Sequence, residues 1–391
     1  MPGVRLAVVV EQCLAPVPGG TGRYTRELAG ALAATAPPGS TVTGWTAWHA
    51  DRAAARVAGV AGPRTLPLPR RALVAAWERG LGPVPRAAAV VHAPTLLAPP
   101  ARRTPLVVTI HDAVPWTHPG TLTPRGVAWH RRMAGYAARA ADRVVVPTHA
   151  VADELQAVLP ALRGDRLVVV GEGVSGALAV PPPDAEARAA RLGLPESGYL
   201  LSIATLEPRK GLDVLLAALA DPALAEETLA DRAFTDPAVG GVPLLVVGQP
   251  GWGGVDPAAA AARLGLPAGR VRVLGRLGDP DLAVVLHRAT ALVAPSRAEG
   301  FGLPVLEAMA AGVPAVTSDA PALVEVGGGA TLVVPRNDPR ALAVTLRSLL
   351  EDEAMRFRLA AAGPPRAARF AWTDAARALW TVYAELAGGR A

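Results

Sequence analysis

The sequence is short of cysteine, of aromatic residues and of long apolar runs, and each shortage excludes a class of protein. Among 391 residues, Cys13 is the single cysteine, so no disulfide can form within the chain. No uninterrupted apolar run reaches the roughly 18 residues of a membrane-spanning helix. Aromatic residues make up 4% of the chain and are not interleaved with basic residues as in nucleic-acid-binding modules. We therefore expect a protein of a reducing compartment that binds no nucleic acid.

Positive charge is unevenly distributed, and almost all of it is arginine. The net charge is +6, and residues 1–180 alone hold 19 arginines against 10 acidic residues. A basic first half suits an anionic membrane surface or a phosphorylated acceptor, and a merely solvated surface is the alternative. Of the 39 basic residues, only Lys210 is a lysine, and it follows Arg209 directly. This pattern indicates a position where a compact ammonium is needed instead of a planar guanidinium.

Strand and helix patterns alternate along the chain, with one interruption at the prolines of residues 181–183. Strands are predicted before it at residues 5–10, 41–45, 90–92, 106–110, 143–146 and 167–170, and after it at 199–204, 244–247, 271–274, 291–294, 315–317 and 331–334. The alternation predicts two doubly wound, Rossmann-like α/β domains, residues 1–178 and 184–365, facing a cleft. The remaining segment, residues 366–391, is predicted to contain a helix over 367–386 that packs back toward the first domain.

The stretch EGFGLPVLEAMAAG, residues 299–312, is the most informative in the chain. An apolar strand precedes it, Pro304 suits the first turn of a helix, and Gly312 suits the helix end. A glycine-containing loop that enters a helix N-terminus offers backbone N–H groups and a positive dipole to an anion. Glu299 and Glu307 flank this loop, and because carboxylates repel phosphate we expect them to bind hydroxyl groups. The pattern predicts a ligand with a diphosphate between two polyols, which is a nucleotide sugar.

Other candidate residues lie where predicted strands end. The segment PVPGGTGRY, residues 16–24, is predicted as a loop before a helix, but Thr25 stands where a dinucleotide-binding fingerprint has its third glycine, so a plain turn stays open. His111 directly follows a strand, where functional residues of open α/β sheets gather, although a packed histidine is the alternative. A mixed aromatic and basic segment comes next and would receive a phosphorylated or lipid-linked acceptor. The acceptor-side candidates are Asp112, Trp116 and His118.

Taken together, these motifs resemble the retaining glycosyltransferases of family four, which have the GT-B fold. The resemblance rests on the Glu-x7-Glu spacing of residues 299–307, on ATLEPRKGLD at 204–213, and on PGGTGRYTREL followed by TIHD at 109–112. It covers nearly the whole chain in the family's order. In it, Ala204 replaces the glycine that often opens the Arg-Lys motif, and the loop of residues 171–180 is altered where the family commonly has an aspartate-containing turn.

The resemblance implies a role for each matching residue. Arg209 and Lys210 would neutralise a departing diphosphate without a metal, and His111 would contact the sugar near the reacting carbon. Glu299 would hold hydroxyls of the donor sugar, and Glu307 would hold those of the ribose. The other implied donor contacts are Gly20, Gly22, Arg276, Leu277, Phe301, Gly302 and Leu303. The Asp-Pro-Asp triplet at 279–281 resembles a metal-binding motif of another glycosyltransferase fold, but we expect it to cap a helix that begins at Leu282, and we expect no metal or other cofactor.

The function implied by the resemblance is transfer of a hexose with retention of configuration. Because residues 111–119 are similar to the mannosyltransferase branch, GDP-mannose is the first choice of donor, with UDP-glucose, UDP-N-acetylglucosamine and a deoxysugar nucleotide left open. The acceptor would be a glycan, a lipid-linked sugar or a small molecule. We expect a cytoplasmic protein, with peripheral attachment to the inner membrane face as an option. A sugar-nucleotide epimerase and a non-catalytic nucleotide-sugar-binding protein are the alternatives.

Overall fold

The computed structural model describes residues 3–224 and 241–389, and the chain divides into two compact units. Unit 1 comprises Met1–Pro119, Pro124–Gly173 and Phe370–Ala391, and unit 2 comprises Gly120–Thr123 and Val174–Arg369. Each unit is built around one parallel β-sheet with its own buried apolar core.

The described part of unit 1 contains a seven-stranded sheet in the order β3-β2-β1-β4-β5-β6-β7. Its strands are β1 (Arg5–Val9), β2 (Thr41–Trp48), β3 (Ala61–Pro69), β4 (Val90–Ala93), β5 (Leu106–Thr109), β6 (Arg143–Val146) and β7 (Leu167–Val169). All neighbours pair in parallel. Strands β4 and β5 are buried at every position, because helical crossovers cover both faces of a parallel sheet. The strand order reverses between β1 and β4.

The described part of unit 2 contains a six-stranded parallel sheet in the order β10-β9-β8-β11-β12-β13. Its strands are β8 (Leu200–Ile203), β9 (Leu244–Val247), β10 (Val271–Gly275), β11 (Ala291–Ala294), β12 (Ala315–Ser318) and β13 (Leu332–Val334). Here the order reverses between β8 and β11. In open α/β sheets, ligands bind outside the carboxyl ends of the strands at such a reversal.

The α-helices supply the crossovers between strands. They are α1 (Gly19–Ala34), α2 (Arg70–Trp77), α3 (Val114–Thr117), α4 (Pro124–Ala140), α5 (His149–Val158), α6 (Ala185–Leu192), α7 (Leu212–Leu219), α8 (Pro257–Arg263), α9 (Asp279–His287), α10 (Leu303–Ala310), α11 (Pro321–Gly327), α12 (Pro339–Glu351), α13 (Glu353–Ala367) and α14 (Trp372–Gly388). No helix among these described residues combines the length and the apolar character needed to cross a membrane.

Strand β3 is absent from the sequence-based prediction. Its sequence, AGPRTLPLP, contains three prolines, and a proline cannot donate to a neighbouring strand. The structure places β3 at the edge of the sheet, where it pairs only with β2. An edge strand tolerates prolines because only one of its sides is hydrogen-bonded. Prolines therefore argue against an interior strand but not against an edge strand such as β3.

Three predicted helix boundaries also need correction. Helix α1 begins at Gly19, so residues 19–24 of the loop predicted over residues 16–24 are its first turns. Helix α9 begins at Asp279 and not at Leu282, which puts both aspartates of the triplet inside its first turn. The predicted helix over 367–386 is two helices, because the backbone at Ala371 is extended and separates α13 from α14. In the first two cases, the helix begins several residues before the first apolar residue that was used to predict it.

Helix α14 belongs to unit 1, as the fold prediction requires of the C-terminal helix. It packs on α1, where the Trp380 indole N–H donates to the Leu32 carbonyl oxygen at 3.1 Å. At its start, Trp372 lies against Gly173, and a Cβ added to that glycine would be 2.3 Å from the Trp372 nitrogen. A glycine is therefore required at residue 173 for this close approach.

Candidate functional site

In unit 2, the predicted cations and the first predicted carboxylate follow the two strands at which the strand order reverses. Arg209 and Lys210 lie in the turn after β8, and Glu299 lies in the loop after β11. These strands are neighbours, so their carboxyl-end loops meet. Gly211 makes the approach possible: its φ is +67°, and an added Cβ would be 2.1 Å from the Pro295 carbonyl oxygen.

The side chains in these two loops form one ion-paired network. Lys210 Nζ donates to Glu299 Oε1 at 2.6 Å, and Arg209 Nη1 donates to Glu299 Oε2 at 3.1 Å. The Ser296 hydroxyl donates to Glu299 Oε1 at 2.7 Å. Arg209 Nη2 also lies 3.0 Å from Glu207 Oε1. Both carboxylate oxygens of Glu299 are thus used to hold two cations side by side.

Burial and charge set the ionisation of this network. Burial disfavours the Glu299 carboxylate, but the charges of Lys210 and Arg209 outweigh that effect and lower the pKa of Glu299 to about 2. Burial, and next the adjacent Arg209 charge, lower the pKa of Lys210 from its usual range, while Glu299 opposes the shift. Two like charges this close require a nearby anion, which Glu299 supplies in the structure and a phosphate group is suited to supply.

The glycine loop leads into α10 as the sequence predicts. Gly302 is the N-cap with φ +97°, and an added Cβ would be 2.4 Å from Leu323 Cδ2, so only glycine fits. Phe301 and Leu303 are buried on either side of it. Glu307 lies in α10, where its side chain is 3% exposed. At the other end of the helix, Gly312 has a left-handed φ of +67°, which confirms it as the helix stop.

The residues predicted to frame a nucleobase lie at the end of β10. Arg276 is exposed and Leu277 is half-buried in the short connection to α9. The loop after the neighbouring strand β9 is joined to this connection, because the Gly248 N–H donates to the Gly275 carbonyl oxygen at 2.9 Å. The same loop is joined to the turn that holds Arg209 and Lys210, since the Gly251 N–H donates to the Leu206 carbonyl oxygen at 3.1 Å. Hydrogen bonds thus connect three successive strand-end loops of unit 2.

In unit 1, His111 follows β5 and is enclosed on several sides. Its Nε2 lies 2.8 Å from the Pro94 carbonyl oxygen, and because a carbonyl only accepts, Nε2 carries a proton. Its Nδ1 lies 3.8 Å from Glu172 Oε1, a carboxylate that is 5% exposed. The Tyr24 ring meets the imidazole edge-to-face, with centroids 4.6 Å apart. His111 itself remains 17% exposed, so it is held in place and still reachable.

The two predicted glycines of unit 1 differ in their surroundings. Both lie in the first turn of α1. A Cβ added to Gly22 would be 2.4 Å from Pro18 Cβ, so packing within unit 1 accounts for this glycine. A Cβ added to Gly20 would have no neighbour within 4 Å among the residues that the structure describes. Packing within the described residues therefore does not explain why residue 20 is a glycine.

The acceptor-side candidates lie on and around α3. Asp112 Oδ1 accepts from the N–H of Val114, the first residue of α3, at 3.1 Å. Trp116 packs against the unit 1 core, and His118 Nδ1 lies 3.0 Å from Thr117 Oγ1. Each of the three has a local structural contact, and each is at least partly exposed.

The aspartates of the 279–281 triplet have structural partners. Asp281 Oδ1 accepts from Arg188 and from Arg191, each at 2.7 Å, which ties α9 to α6. Across residues 3–224 and 241–389, no three His, Cys, Asp or Glu side chains come together as they would around a metal ion.

Several residues of the site were not predicted. Glu207 and Ser296 stand close in sequence to Arg209 and Glu299, so proximity to the motif was an available signal. Glu172 is 61 positions after His111 in the chain, and its place beside the imidazole depends on the order of the strands between them. No local pattern marks such a pair.

Two family models match the chain, and together they cover most of both units. The model of Glycosyltransferase Family 4 matches residues 18–176, and the model of Glycosyl transferases group 1 matches residues 197–352. These segments contain every candidate residue described above.

Curated relatives include two kinds of glycosyltransferase. The O-antigen chain mannosyltransferase B of Escherichia coli is 37% identical over 177 residues, which is 45% of this chain and 43% of that protein. The D-inositol 3-phosphate glycosyltransferase 1 of Catenulispora acidiphila is 34% identical over 303 residues, or 74% of this chain and 69% of that protein. The D-inositol 3-phosphate glycosyltransferase of Streptomyces avermitilis is 37% identical over 251 residues, or 62% of this chain and 52% of that protein. The chain thus spans about half the length of two of these relatives.

Similar solved structures agree on the fold. Sucrose-phosphate synthase from Thermosynechococcus elongatus superposes with a TM-score of 0.70 at 22% identity, covering 99% of both chains. Anabaena HepE in complex with UDP and glucose gives a TM-score of 0.70 at 18% identity, covering 98% of this chain and 100% of that one. With its two parallel-sheet units, its two family matches and these relatives, the chain belongs to glycosyltransferase family 4 and has the GT-B fold.

Proposed function

We propose that the protein is a retaining glycosyltransferase that moves a hexose from a nucleoside diphosphate sugar to a hydroxyl acceptor. The observation that carries the proposal is the network in which Glu299 holds Arg209 and Lys210 together beside the loop into α10. A pair of adjacent cations at a strand-order reversal is suited to a diphosphate, because both charges can face the same leaving group.

The proposed reaction breaks the bond between the anomeric carbon and the phosphate oxygen, which leaves with the electron pair. Arg209 and Lys210 stabilise the charge that develops on that oxygen, and the first backbone N–H groups of α10 add to this effect. The acceptor oxygen bonds to the anomeric carbon on the same face, and the departing phosphate oxygen takes its proton. This front-face route gives retention without a protein nucleophile, and no metal takes part.

The binding roles that we propose are those implied by the family resemblance. When the diphosphate replaces Glu299 as the anion beside the cations, Glu299 turns to the hydroxyls of the donor sugar. Glu307 binds the ribose, and Arg276 and Leu277 frame the base. In unit 1, we assign His111 to the transferred sugar and Gly20 to close backbone approach. The remaining donor contacts proposed are Gly22, Phe301, Gly302 and Leu303.

GDP-mannose is the donor we propose first, since the mannosyltransferase relative and the segment after His111 favour it. UDP-sugars are the alternative, which the UDP complex of a structural neighbour favours. For the acceptor, the excess of arginine in residues 1–180 favours an anionic molecule, either a small phosphorylated polyol or a lipid-linked sugar phosphate. Trp116, His118 and Asp112 are its proposed contacts, and a cytoplasmic enzyme attached peripherally to anionic membrane suits the lipid-linked case.

A nucleotide panel tests the proposal. Thermal melts with GDP, UDP, ADP and dTDP, and with the matching sugar nucleotides, should give a stabilising shift for one base, which grows with ligand concentration. The Lys210→Ala protein should lose that shift. Incubation of the preferred sugar nucleotide with candidate acceptors, followed by NMR of the anomeric proton, should yield a product with the donor's anomeric configuration. An absence of any shift across the panel would refute a nucleotide-sugar enzyme, and an inverted product would refute retention.

A further inference from the structure

Four buried polar side chains form a hydrogen-bonded chain in unit 1, and the function proposed above uses none of them. Tyr24 Oη lies 3.2 Å from Thr109 Oγ1, which lies 2.9 Å from His92 Nε2. His92 Nδ1 in turn lies 2.6 Å from Tyr383 Oη. All four side chains are at most 2% exposed. We refer to this set as the Tyr24–Tyr383 chain. It joins α1, β5, β4 and α14, the last of which is contributed by the C-terminal end of the protein.

The hydrogen bonds of this chain depend on one another. Burial, and next the neighbouring His111, lower the pKa of His92 to about 3, so its ring is neutral and has one donor and one acceptor nitrogen. Thr109 has a single hydroxyl proton, so it donates to at most one of its two neighbours and accepts from at least one of them. Loss of a terminal hydroxyl therefore leaves a buried partner without its hydrogen bond. Such a mismatch is costly because water cannot replace the lost group.

The Tyr24–Tyr383 chain reaches three segments that adjoin His111. Tyr24 supplies the ring that meets the imidazole edge-to-face, at an interplanar angle of 88°. Thr109 stands two residues before His111 at the end of β5. His92 stands two residues before Pro94, whose carbonyl oxygen binds His111 Nε2. One hydrogen-bonded set thus includes the ring that packs on His111 and a residue from each of the two strands that lead to His111 and to Pro94.

Helix α14 fixes this set from the far end. Tyr383 supplies the terminal hydroxyl, and the Trp372 ring packs against the Tyr24 ring, with centroids 5.6 Å apart. The helix is docked independently by the bond from Trp380 to Leu32. Contacts other than the Tyr383 hydroxyl therefore hold α14 on unit 1. We infer that this hydroxyl serves to orient His92, to which it bonds.

We propose that Tyr383, His92 and Thr109 are positioning residues through which the C-terminal helix sets the orientation of Tyr24 and His111 for sugar transfer. The inference rests on the role proposed above for His111. It predicts that loss of the Tyr383 hydroxyl, which bonds to His92, lowers the rate of the chemical step while donor affinity is kept, since the proposed phosphate-binding residues Arg209 and Lys210 lie in unit 2.

The first test removes one hydroxyl at a time. Tyr383→Phe and Thr109→Val should each lower kcat about tenfold, because a misplaced catalytic group loses rate steeply, and should leave the donor KM nearly unchanged. Thr109→Ser keeps the hydroxyl and should restore most of the rate. Thr46→Val is the matched control: Thr46 is a fully buried threonine of the same sheet whose hydroxyl has no hydrogen-bond partner among the described residues. Its kcat should equal that of the wild type.

A second control separates positioning from general loss of stability. Val382→Ala removes packing from the same helix, beside Tyr383, without touching a member of the chain. It should lower the melting temperature and leave kcat unchanged below that temperature. If Val382→Ala lowers kcat as much as Tyr383→Phe does, helix docking explains the effect and the positioning role is refuted.

A double-mutant cycle completes the test and separates the two proposals. His111→Ala should lower kcat strongly, and adding Tyr383→Phe to it should have no further effect, because the hydroxyl acts through the imidazole. Additive effects would overturn the inference and leave the role of His111 intact. A fully active His111→Ala protein would refute the role proposed for His111 and, with it, the inference. Should Tyr383→Phe not fold, the same cycle with Thr109→Val and Thr109→Ser gives the decision.

Discussion

Removal of the single lysine is the perturbation that bears most directly on the proposed chemistry. In the network around Glu299, two cations are balanced by two carboxylates, those of Glu299 and Glu207. Replacing Lys210 by alanine leaves this network with a net charge of −1. A diphosphate would then meet a network with a net negative charge in place of a neutral one, so both donor binding and stabilisation of the leaving group should suffer.

The size of the effect can be estimated for rate and stability separately. Loss of one preorganised donor to a developing oxyanion typically costs about 10²–10³ in kcat, or about 3–4 kcal/mol. For stability, Glu299 loses its shortest bond, 2.6 Å to Lys210, but keeps Arg209 and Ser296. We therefore expect about 1–3 kcal/mol of destabilisation, the range for loss of one partner of a buried polar group. Activity should thus fall far more than stability.

The assay compares Lys210→Ala with two variants. Lys210→Arg keeps the charge but changes its shape, and should bind the free nucleotide while transferring sugar more slowly than the wild type. Arg188→Ala breaks ion pairs of similar length with Asp281 and Asp184 elsewhere in unit 2, and should lower the melting temperature without lowering kcat. Steady-state kinetics with the preferred donor and a thermal melt of each protein give the comparison. A folded Lys210→Ala protein with near wild-type kcat would refute the assignment of the diphosphate to this network.

Three further predictions follow from individual contacts. Because the pKa of Glu299 is lowered from 4.5 to about 2, its contribution to stability is present above pH 4.5 and is lost as the pH falls toward 2, so the melting temperatures of Glu299→Gln and the wild type should differ at pH 7 and converge in acid. Gly302→Ala should lower the free energy of unfolding by at least about 1 kcal/mol in a denaturant titration, since φ is +97° and Leu323 Cδ2 lies 2.4 Å from the added Cβ. Gly20→Ala should keep full stability and weaken donor binding measured by calorimetry. Flotation with anionic liposomes should carry the protein upward at low salt and not at high salt, and an absence of binding at low salt would remove the membrane proposal.

Much of the site could be predicted because its residues are adjacent to structural signals in the sequence. Arg209 and Lys210 follow an apolar strand, and Glu299 precedes a glycine loop and a helix with a proline in its first turn. Each of these features depends on local backbone geometry, which neighbouring residues determine. The sequence also predicts that the loops of Lys210 and Glu299 face one crevice, because carboxyl-end loops of neighbouring parallel strands lie together, but their direct ion pair was not predicted.

The errors arose where the outcome depends on position within the sheet. The three prolines of β3 argue against a strand, and only the location of β3 at the sheet edge makes them acceptable. The early start of α1 is a separate, local case: glycines weaken a helix, but a Cβ added to Gly22 would be 2.4 Å from Pro18 Cβ at the start of the same helix, so this glycine is needed there. Local propensity is a weak predictor when a tertiary contact can repay its cost.

By itself, the sequence determined the alternation of strands and helices, the glycine turn into α10 and the placement of two cations beside a carboxylate loop. These depend on steric and hydrogen-bonding preferences that act over a few residues. Only the tertiary structure decided that Glu172 lies beside His111, and that Tyr383 bonds to His92 across 291 positions of the chain. Such pairs form because strand order and helix docking bring distant segments together, and no spacing within either segment encodes the other.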